Sequence, residues 1–189
     1  VESCAAQPRK LFDPDALADL ADSIRQHGII QPLTVRKLQS GYYQIIAGER
    51  RWRAARMAGL TQVPAVVIEA DDRKAMELAM IENLQREDLN PIEEAEGYKV
   101  LMEQYNMTQE ETAKRVGKSR PAVANALRLL NLCEPVRAMV EDGRLSGGHA
   151  RALLPLPAKQ QETAAAAVLK SELSVRQTEL LAKKLMAET

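Results

Sequence analysis

Three stretches of this sequence hold residue types whose spacing could do chemistry. The first is Gly48-Glu49-Arg50-Arg51-Trp52-Arg53-Ala54. A glycine at a strand-to-helix turn lets backbone amides approach an anion, the helix start adds the positive end of its dipole, and arginines add donors and charge. That is phosphate-site chemistry, although the Gly-Lys-[Ser/Thr] ending of a Walker A loop is absent. On periodicity alone, the same residues read more readily as the solvated basic face of a helix. The second stretch is Glu82-Asn83-Leu84-Gln85-Arg86. Glu and Asn side by side can hold a hydrated Mg²⁺ beside phosphates, and Arg86 can pair with those phosphates. Taken by itself, this stretch reads as an ordinary polar helix end.

The third stretch, residues 108–130, has the grammar of a helix-turn-helix. Thr108 is placed to cap a short helix, with Glu111 at the reciprocal position of a capping box. Ala113 is small enough for a second helix to cross closely, and Gly117 supplies the turn. Ser119 caps the second helix, with Val123, Leu127 and Leu130 facing inward and Arg120, Asn125 and Arg128 outward. The start of such a second helix enters the DNA major groove, where an arginine can make a two-pronged contact to guanine. The competing reading is a helical hairpin that only packs.

The elements that must position these residues follow from local signals. Asp13-Pro14 opens a helix that Gly28 ends. Strands are expected at Ile29–Arg36 and Tyr42–Ala47, separated by the turn Gln39-Ser40-Gly41. A basic helix runs from Gly48 to Ala58, closed by Gly59, and a third strand spans Val63–Ile68 with Pro64 indicating an edge. From Asp71 on no strand is expected. Helices fit Asp72 to about Gln85, a segment opened by the Asn90-Pro91 cap, then 109–116, 120–131, 135–142, 147–154, 158–170 and 175–187. The expected fold class is α+β: a small α/β domain over residues 1–88, then an all-α helix-turn-helix domain over 89–189.

The 189 residues suffice for one large or two small domains. Apolar residues make up 46% and aromatics only 3%, so Leu, Ile, Val, Ala and Met must fill the core, which favours helix. Net charge is zero, but residues 109–159 hold nine Lys and Arg against five acids. Local basic islands fit local anion contacts better than a diffuse polybasic tail does. Cys4 and Cys133 lack metal-site companions and read as reduced thiols of a cytosolic protein. No apolar run approaches the roughly 18 residues of a membrane span, and no signal peptide is recognised. A chain that starts at Val1 reads as an excised fragment. His27 sits where a helix C-terminus welcomes positive charge, and His149 reads as serving a helix start or the DNA backbone rather than a metal.

Taken together and in order, Gln7-Pro8-Arg9, Gly28-Ile29-Ile30-Gln31-Pro32-Leu33, Gly48 to Ala54, Glu82 to Ala95, Gly117-Lys118-Ser119-Arg120 and Leu145 to Arg151 resemble the ParB family over essentially the whole chain. The resemblance implies a ParB/sulfiredoxin-like first domain that binds CTP (or CDP) with Mg²⁺. Gln31, Gly48, Glu49, Arg50, Arg51, Arg53, Ala54, Glu82, Asn83 and Arg86 would form the nucleotide site, segments 28–33 and 43–47 reading the cytosine largely through backbone groups. Glu82 and Asn83 would hold the metal and carry slow hydrolysis. Thr108, Gln109, Lys118, Ser119, Arg120, Asn125, Ala126, Arg128, Gly148 and His149 would contact DNA, both the parS palindrome and non-specific duplex.

The resemblance further implies a homodimer that CTP switches between open and closed clamp states. It implies a ParA-type ATPase partner reached through an arm outside this chain, an SMC condensin partner, a dimerisation domain also outside the chain, and a cytoplasmic, nucleoid-associated location without membrane attachment. A nucleoid-occlusion or plasmid-type KorB-like regulator on the same fold is the alternative. Nucleoid-occlusion relatives carry Gln where Arg120 stands, and basic residues at the positions of Ala126, Asn131 and Gly148, so the partition reading is preferred. A sulfiredoxin-like enzyme would need a cysteine within residues 48–54, and a nuclease would need clustered carboxylates.

Overall fold

The computed structural model describes residues 1–3 and 12–189. Cys4 and the Gln7-Pro8-Arg9 motif lie outside the described residues. The described residues divide into two compact units, Val1–Gln85 and Arg86–Thr189.

In the first unit, Asp13 caps α1 (Pro14–His27) by accepting from the Asp15 N–H, and Gly28 ends the helix at φ 72°. Strands β1 (Leu33–Lys37), β2 (Tyr43–Ala47) and β3 (Ala65–Val67) form a sheet in the order β2-β1-β3. β1 pairs antiparallel with β2 and parallel with β3. β3 therefore lies at an edge, as Pro64 indicated; just outside it, the Pro64 carbonyl accepts from the Leu33 N–H. Helix α2 (Glu49–Met57) follows β2 directly and packs on α1, and α3 (Asp72–Leu84) packs on β2. Leu33, Val35 and Ile45 form one small core, and Ala21, Ile24 and Ala54 another. Residue 2 adds a parallel bridge to the free side of β2, its N–H donating to Tyr43 O and its carbonyl accepting from Ile45 N–H.

One expected strand begins late. Ile29 to Pro32 is not extended ladder, and Ile30 is 87% exposed. Pro32 has no N–H to give a sheet, and the carbonyls just ahead of β1 are turned to a side chain described below. The third strand is likewise shorter than its apolar run.

The second unit is all helix: α4 (Pro91–Gln104), α5 (Gln109–Val116), α6 (Arg120–Arg128) with one 3₁₀ turn over 129–131, α7 (Glu134–Glu141), α8 (Gly147–Leu153), α9 (Ala158–Ser171) and α10 (Val175–Ala187). Short polar residues cap α4, α5, α6, α8 and α10, with full capping boxes at Asn90/Glu93 and Ser174/Gln177. The core is aliphatic, built on Val136, Val140, Leu153 and Ala165 together with Leu132 and Ala182. No helix among the described residues is long and apolar enough to cross a membrane.

One buried amide pins this core. Gln161, 4% exposed, accepts from the Cys133 N–H at 3.0 Å and donates to the Leu156 carbonyl at 2.9 Å. It thus caps α7, whose N-cap residue Cys133 makes no side-chain cap bond. Gln161→Leu conserves most of the volume but strands both backbone groups. We expect a loss of about 1–3 kcal/mol, the usual cost of an unsatisfied buried polar group, read as a lower urea midpoint at unchanged slope; an unmoved midpoint would show that Gln161 is not the pin.

Candidate nucleotide site and nucleic-acid interface

The first candidate site is built where β2 turns into α2. Gly48 stands there at φ 105°, in the left-handed region. A Cβ on it would lie 2.5 Å from Leu33 Cδ2 and 3.2 Å from Arg51 Nη2. Glycine is required twice over, by backbone angle and by space. No side chain caps α2, so its first amides and its dipole face the turn as an anion site would need.

The arginines of α2 do not act alike. Arg51 Nη1 donates to two successive carbonyls, Gln31 O at 2.6 Å and Pro32 O at 2.7 Å. Partial burial pushes its pKa down, and the Glu82 carboxylate pushes it back up. Arg53, on the opposite face of the helix, pairs with Glu49 at 3.2 Å and stacks over the Phe12 ring at 4.2 Å. Arg50 makes no hydrogen bond or ion pair among the described residues, so its guanidinium is the uncommitted one. Glu49 is 5% exposed; its Oε1 also accepts from Ser3 Oγ at 2.7 Å, and its buried Oε2 has no partner. Ala54 is buried against α1.

Glu82 and Asn83 sit half-buried in the last turn of α3, where the Gln85 N–H closes the helix on the Glu82 carbonyl. A helix C-terminus is the negative end of the dipole, which suits a cation as the start of α2 suits an anion. Among the described residues, no group of three or more His, Cys, Asp or Glu is placed to hold a metal. A Mg²⁺ here would take Glu82 and Asn83 together with oxygens of a phosphate ligand and water, a donor set such an ion accepts. The structure thus brings Gln31, Gly48, Arg51 and Glu82 together, while Glu49 and Arg53 form a second group across α2. Arg86 opens the second unit, where its Nε and Nη2 donate to the two carboxylate oxygens of Asp88.

In the second unit, α5 and α6 pack as a helix-turn-helix about Gly117 at φ 73°. Thr108 Oγ1 accepts from the Glu111 N–H, and Ser119 Oγ from the Ala122 N–H. Val123 is fully buried; Lys118, Ser119, Arg120 and Arg128 are exposed, as is Thr108, and Gln109, Asn125 and Ala126 are half-buried. The first turn of α6 holds no acid, whereas that of α5 holds Glu110 and Glu111. Lys118 and Arg120 therefore add to a helix N-terminus that is already positive, which favours an anionic ligand.

Gly148 and His149 have internal duties. A Cβ on Gly148 would stand 3.1 Å from Val175 Cγ2, so the glycine lets α8 meet the start of α10. His149 Nε2 lies 2.8 Å from the Leu173 carbonyl and must carry the proton; Nδ1 lies 2.6 Å from Ser146 Oγ. Both ring nitrogens are engaged within the fold. Sequence reading placed His149 at a helix start but had no signal for Leu173, nor for the Arg51–carbonyl contact, the Ser3–Glu49 bond or the Phe12 stack; all four join residues distant in sequence.

The fold and both sites define a two-part nucleic-acid-binding architecture, a small α/β unit ahead of a helix-turn-helix unit. Residues 1–84 match the ParB N-terminal domain and residues 87–187 the ParB HTH domain. The chain is 55% identical over 176 residues to the chromosome-partitioning protein ParB of Myxococcus xanthus, covering 93% of this chain and 59% of that protein. It is 52% identical over 180 residues to stage 0 sporulation protein J of Bacillus subtilis, covering 95% and 64%. A crystal structure of C-terminally truncated ParB from Caulobacter crescentus complexed to the centromeric parS site superposes with a TM-score of 0.87 at 46% identity, covering 97% of this chain and 95% of that one. The chain belongs to the ParB family, and it spans about three fifths of the length of the curated relatives it matches.

Gly48→Ala tests the turn. Strain at a left-handed residue costs about 1–3 kcal/mol, and the clash with Leu33 adds to it. Urea unfolding followed by Trp52 fluorescence should show the first unit destabilised. In a Leu33→Ala background the added penalty should shrink, because the atom that clashes is gone; strictly additive losses would separate the two effects.

Proposed function

We propose that this chain is the nucleotide- and DNA-binding part of a chromosome-partitioning protein that binds parS and uses CTP to switch between open and closed states of a clamp on DNA. The observation that carries the DNA half is the exposed, acid-free start of α6 with Lys118 and Arg120, in a chain whose fold matches a parS-bound ParB. Arg120 reads a base edge; Thr108, Gln109, Lys118, Ser119, Asn125, Ala126 and Arg128 complete the contact surface, with phosphate contacts setting register. Gly148 and His149 serve it by fixing the start of α8.

In the first unit, the turn at Gly48 and the uncommitted Arg50 hold the triphosphate, with Glu49, Arg51, Arg53 and Ala54 shaping the helix behind it. Segments 28–33 and 43–47 face the cytosine. Glu82 and Asn83 would hold Mg²⁺, which would screen phosphate charge, and Glu82 would orient water for slow hydrolysis to CDP. The protein works as a homodimer in the cytoplasm on the nucleoid, with a ParA-type ATPase and an SMC condensin as partners. The presence of Arg120, rather than Gln, favours this reading over a nucleoid-occlusion role.

Isothermal calorimetry with Mg²⁺ should give CTP binding and far weaker binding of ATP, GTP and UTP; equal heats for ATP and CTP would remove cytosine recognition. For the DNA half, Arg120→Ala should lose about 1–3 kcal/mol of preference per half-site for parS over scrambled duplex. The residual affinity should fall steeply with salt. A mutant that keeps the wild-type preference would show that Arg120 does not read a base.

A further inference from the structure

Arg36 of β1 is only 9% exposed. Burying a guanidinium is costly unless its donors are met, and here they are met from two sides. Nε and Nη2 donate to Oε1 of Gln44, the residue opposite on β2, at 2.8 and 2.6 Å. Nη1 donates to the Ala70 carbonyl at 3.3 Å, and Nη2 to Asp72 Oδ1 at 2.8 Å. Gln44 aims the planar group, and the group grips the chain on either side of Asp71, the N-cap of α3. The Asp72 side chain is 91% exposed, so the ion pair by itself adds little stability; what the arrangement supplies is direction. The early turns of α3 have little else to supply it. Up to Met80, the residues that α3 buries fully are Ala75 and Ala79. Methyl groups allow close approach but interlock little, so they fix the distance to a neighbour better than the tilt. The far end of the helix carries Glu82 and Asn83, and the Glu82 carboxylate is near enough to act on Arg51. Glu82 lies ten residues beyond Asp72, about 15 Å along a helix, so a tilt of about 10° at the start moves it by about 2–3 Å.

We propose that Arg36 is a positioning residue for the metal side of the nucleotide site: by holding the start of α3 it sets where Glu82 and Asn83 stand relative to Gly48 and Arg51. The inference rests on the nucleotide site put forward above and names what aligns its two halves. A small octahedral cation such as Mg²⁺ tolerates little displacement of its oxygen ligands. The amides at the start of α2 and the Arg50 guanidinium hold phosphate without help from α3. Loss of Arg36 therefore weakens the metal-dependent part of binding and spares the rest.

The test measures the dissociation constant of CTP in Mg²⁺ and in EDTA for the 189-residue chain and its Arg36→Ala, Asp72→Ala and doubly substituted variants. The wild type should bind more tightly in Mg²⁺. Arg36→Ala should cut that enhancement about tenfold, or about 1.4 kcal/mol, while affinity in EDTA stays within about twofold. Asp72→Ala should cut it by about threefold, since Gln44 and the Ala70 carbonyl still hold the guanidinium. The double variant should lose no more than Arg36→Ala alone, because both changes act through one contact. Losses of equal proportion in the two buffers would make Arg36 a general prop of the fold, and an unchanged enhancement would detach the start of α3 from the metal; either overturns the inference. If circular dichroism shows Arg36→Ala unfolded, Asp72→Ala, which alters an exposed side chain, decides by the same ratio. A wild-type chain that binds CTP with no gain from Mg²⁺ overturns this role and leaves the nucleotide site standing; one that binds no CTP in either buffer sinks both.

Discussion

The first unit depends on a backbone that turns at Gly48 with no room for a side chain. At φ 105° the chain leaves β2 and enters α2 within a single residue, and Leu33 Cδ2 occupies the space a Cβ would need. That close approach seats the start of α2 against the sheet. It leaves the first amides of the helix uncapped and lets Arg51 fold back over the turn toward Gln31 and Pro32. A looser turn would move α2 outward, and one guanidinium could no longer bridge the helix and the loop. Helix periodicity puts Glu49 and Arg53 on the side away from Arg51, where they meet Ser3 and Phe12 instead.

The second unit solves a different problem. With few aromatics available, it gains packing from closely approaching helices and spends few polar groups inside. Apart from Thr112, buried inside α5, its polar contacts gather near helix ends. Gln161 closes the start of α7, and Thr178 donates its hydroxyl to the Ser174 carbonyl. His149 joins the cap of α8 to the carbonyl of Leu173 ahead of α10. The Gln161 and His149 contacts each join the end of one helix to a neighbouring segment, whereas the Thr178 bond closes the first turn of α10 itself. The helix-turn-helix is held from behind by this core while its charged face stays outside it.

Much of this was legible from local chemistry. The caps at Asp13, Asn90, Thr108 and Ser119 mark helix starts because a short oxygen-bearing side chain there satisfies amides within three residues. Strand limits were less legible. Ile29-Ile30 has strand composition, and only the contact with Arg51, twenty residues further on, shows why it is a loop. The run at Leu129–Asn131 continues α6 in pattern but tightens to a 3₁₀ turn before Leu132. In the site, the residue types were legible and their division of labour was not. Arg50, Arg51 and Arg53 are equivalent as a sequence, and helix geometry together with distant partners makes them three different groups.

Zero net charge is compatible with two surfaces suited to anions because fields in salt solution are local. Screening acts over roughly 8–10 Å at physiological ionic strength, so what a ligand feels is the start of α2 or of α6, not the chain total. The two surfaces differ in kind. The start of α2 lies beside buried groups, with the Glu82 carboxylate near enough to act on Arg51, and a compact phosphate ligand there would trade its water for fixed amides and a cation. The start of α6 is open, with Lys118, Ser119 and Arg120 all exposed, and suits an extended polyanion whose counterions are released on binding. The same helix-terminus physics would thus serve a small ligand in one unit and a long, salt-sensitive one in the other, with burial deciding which.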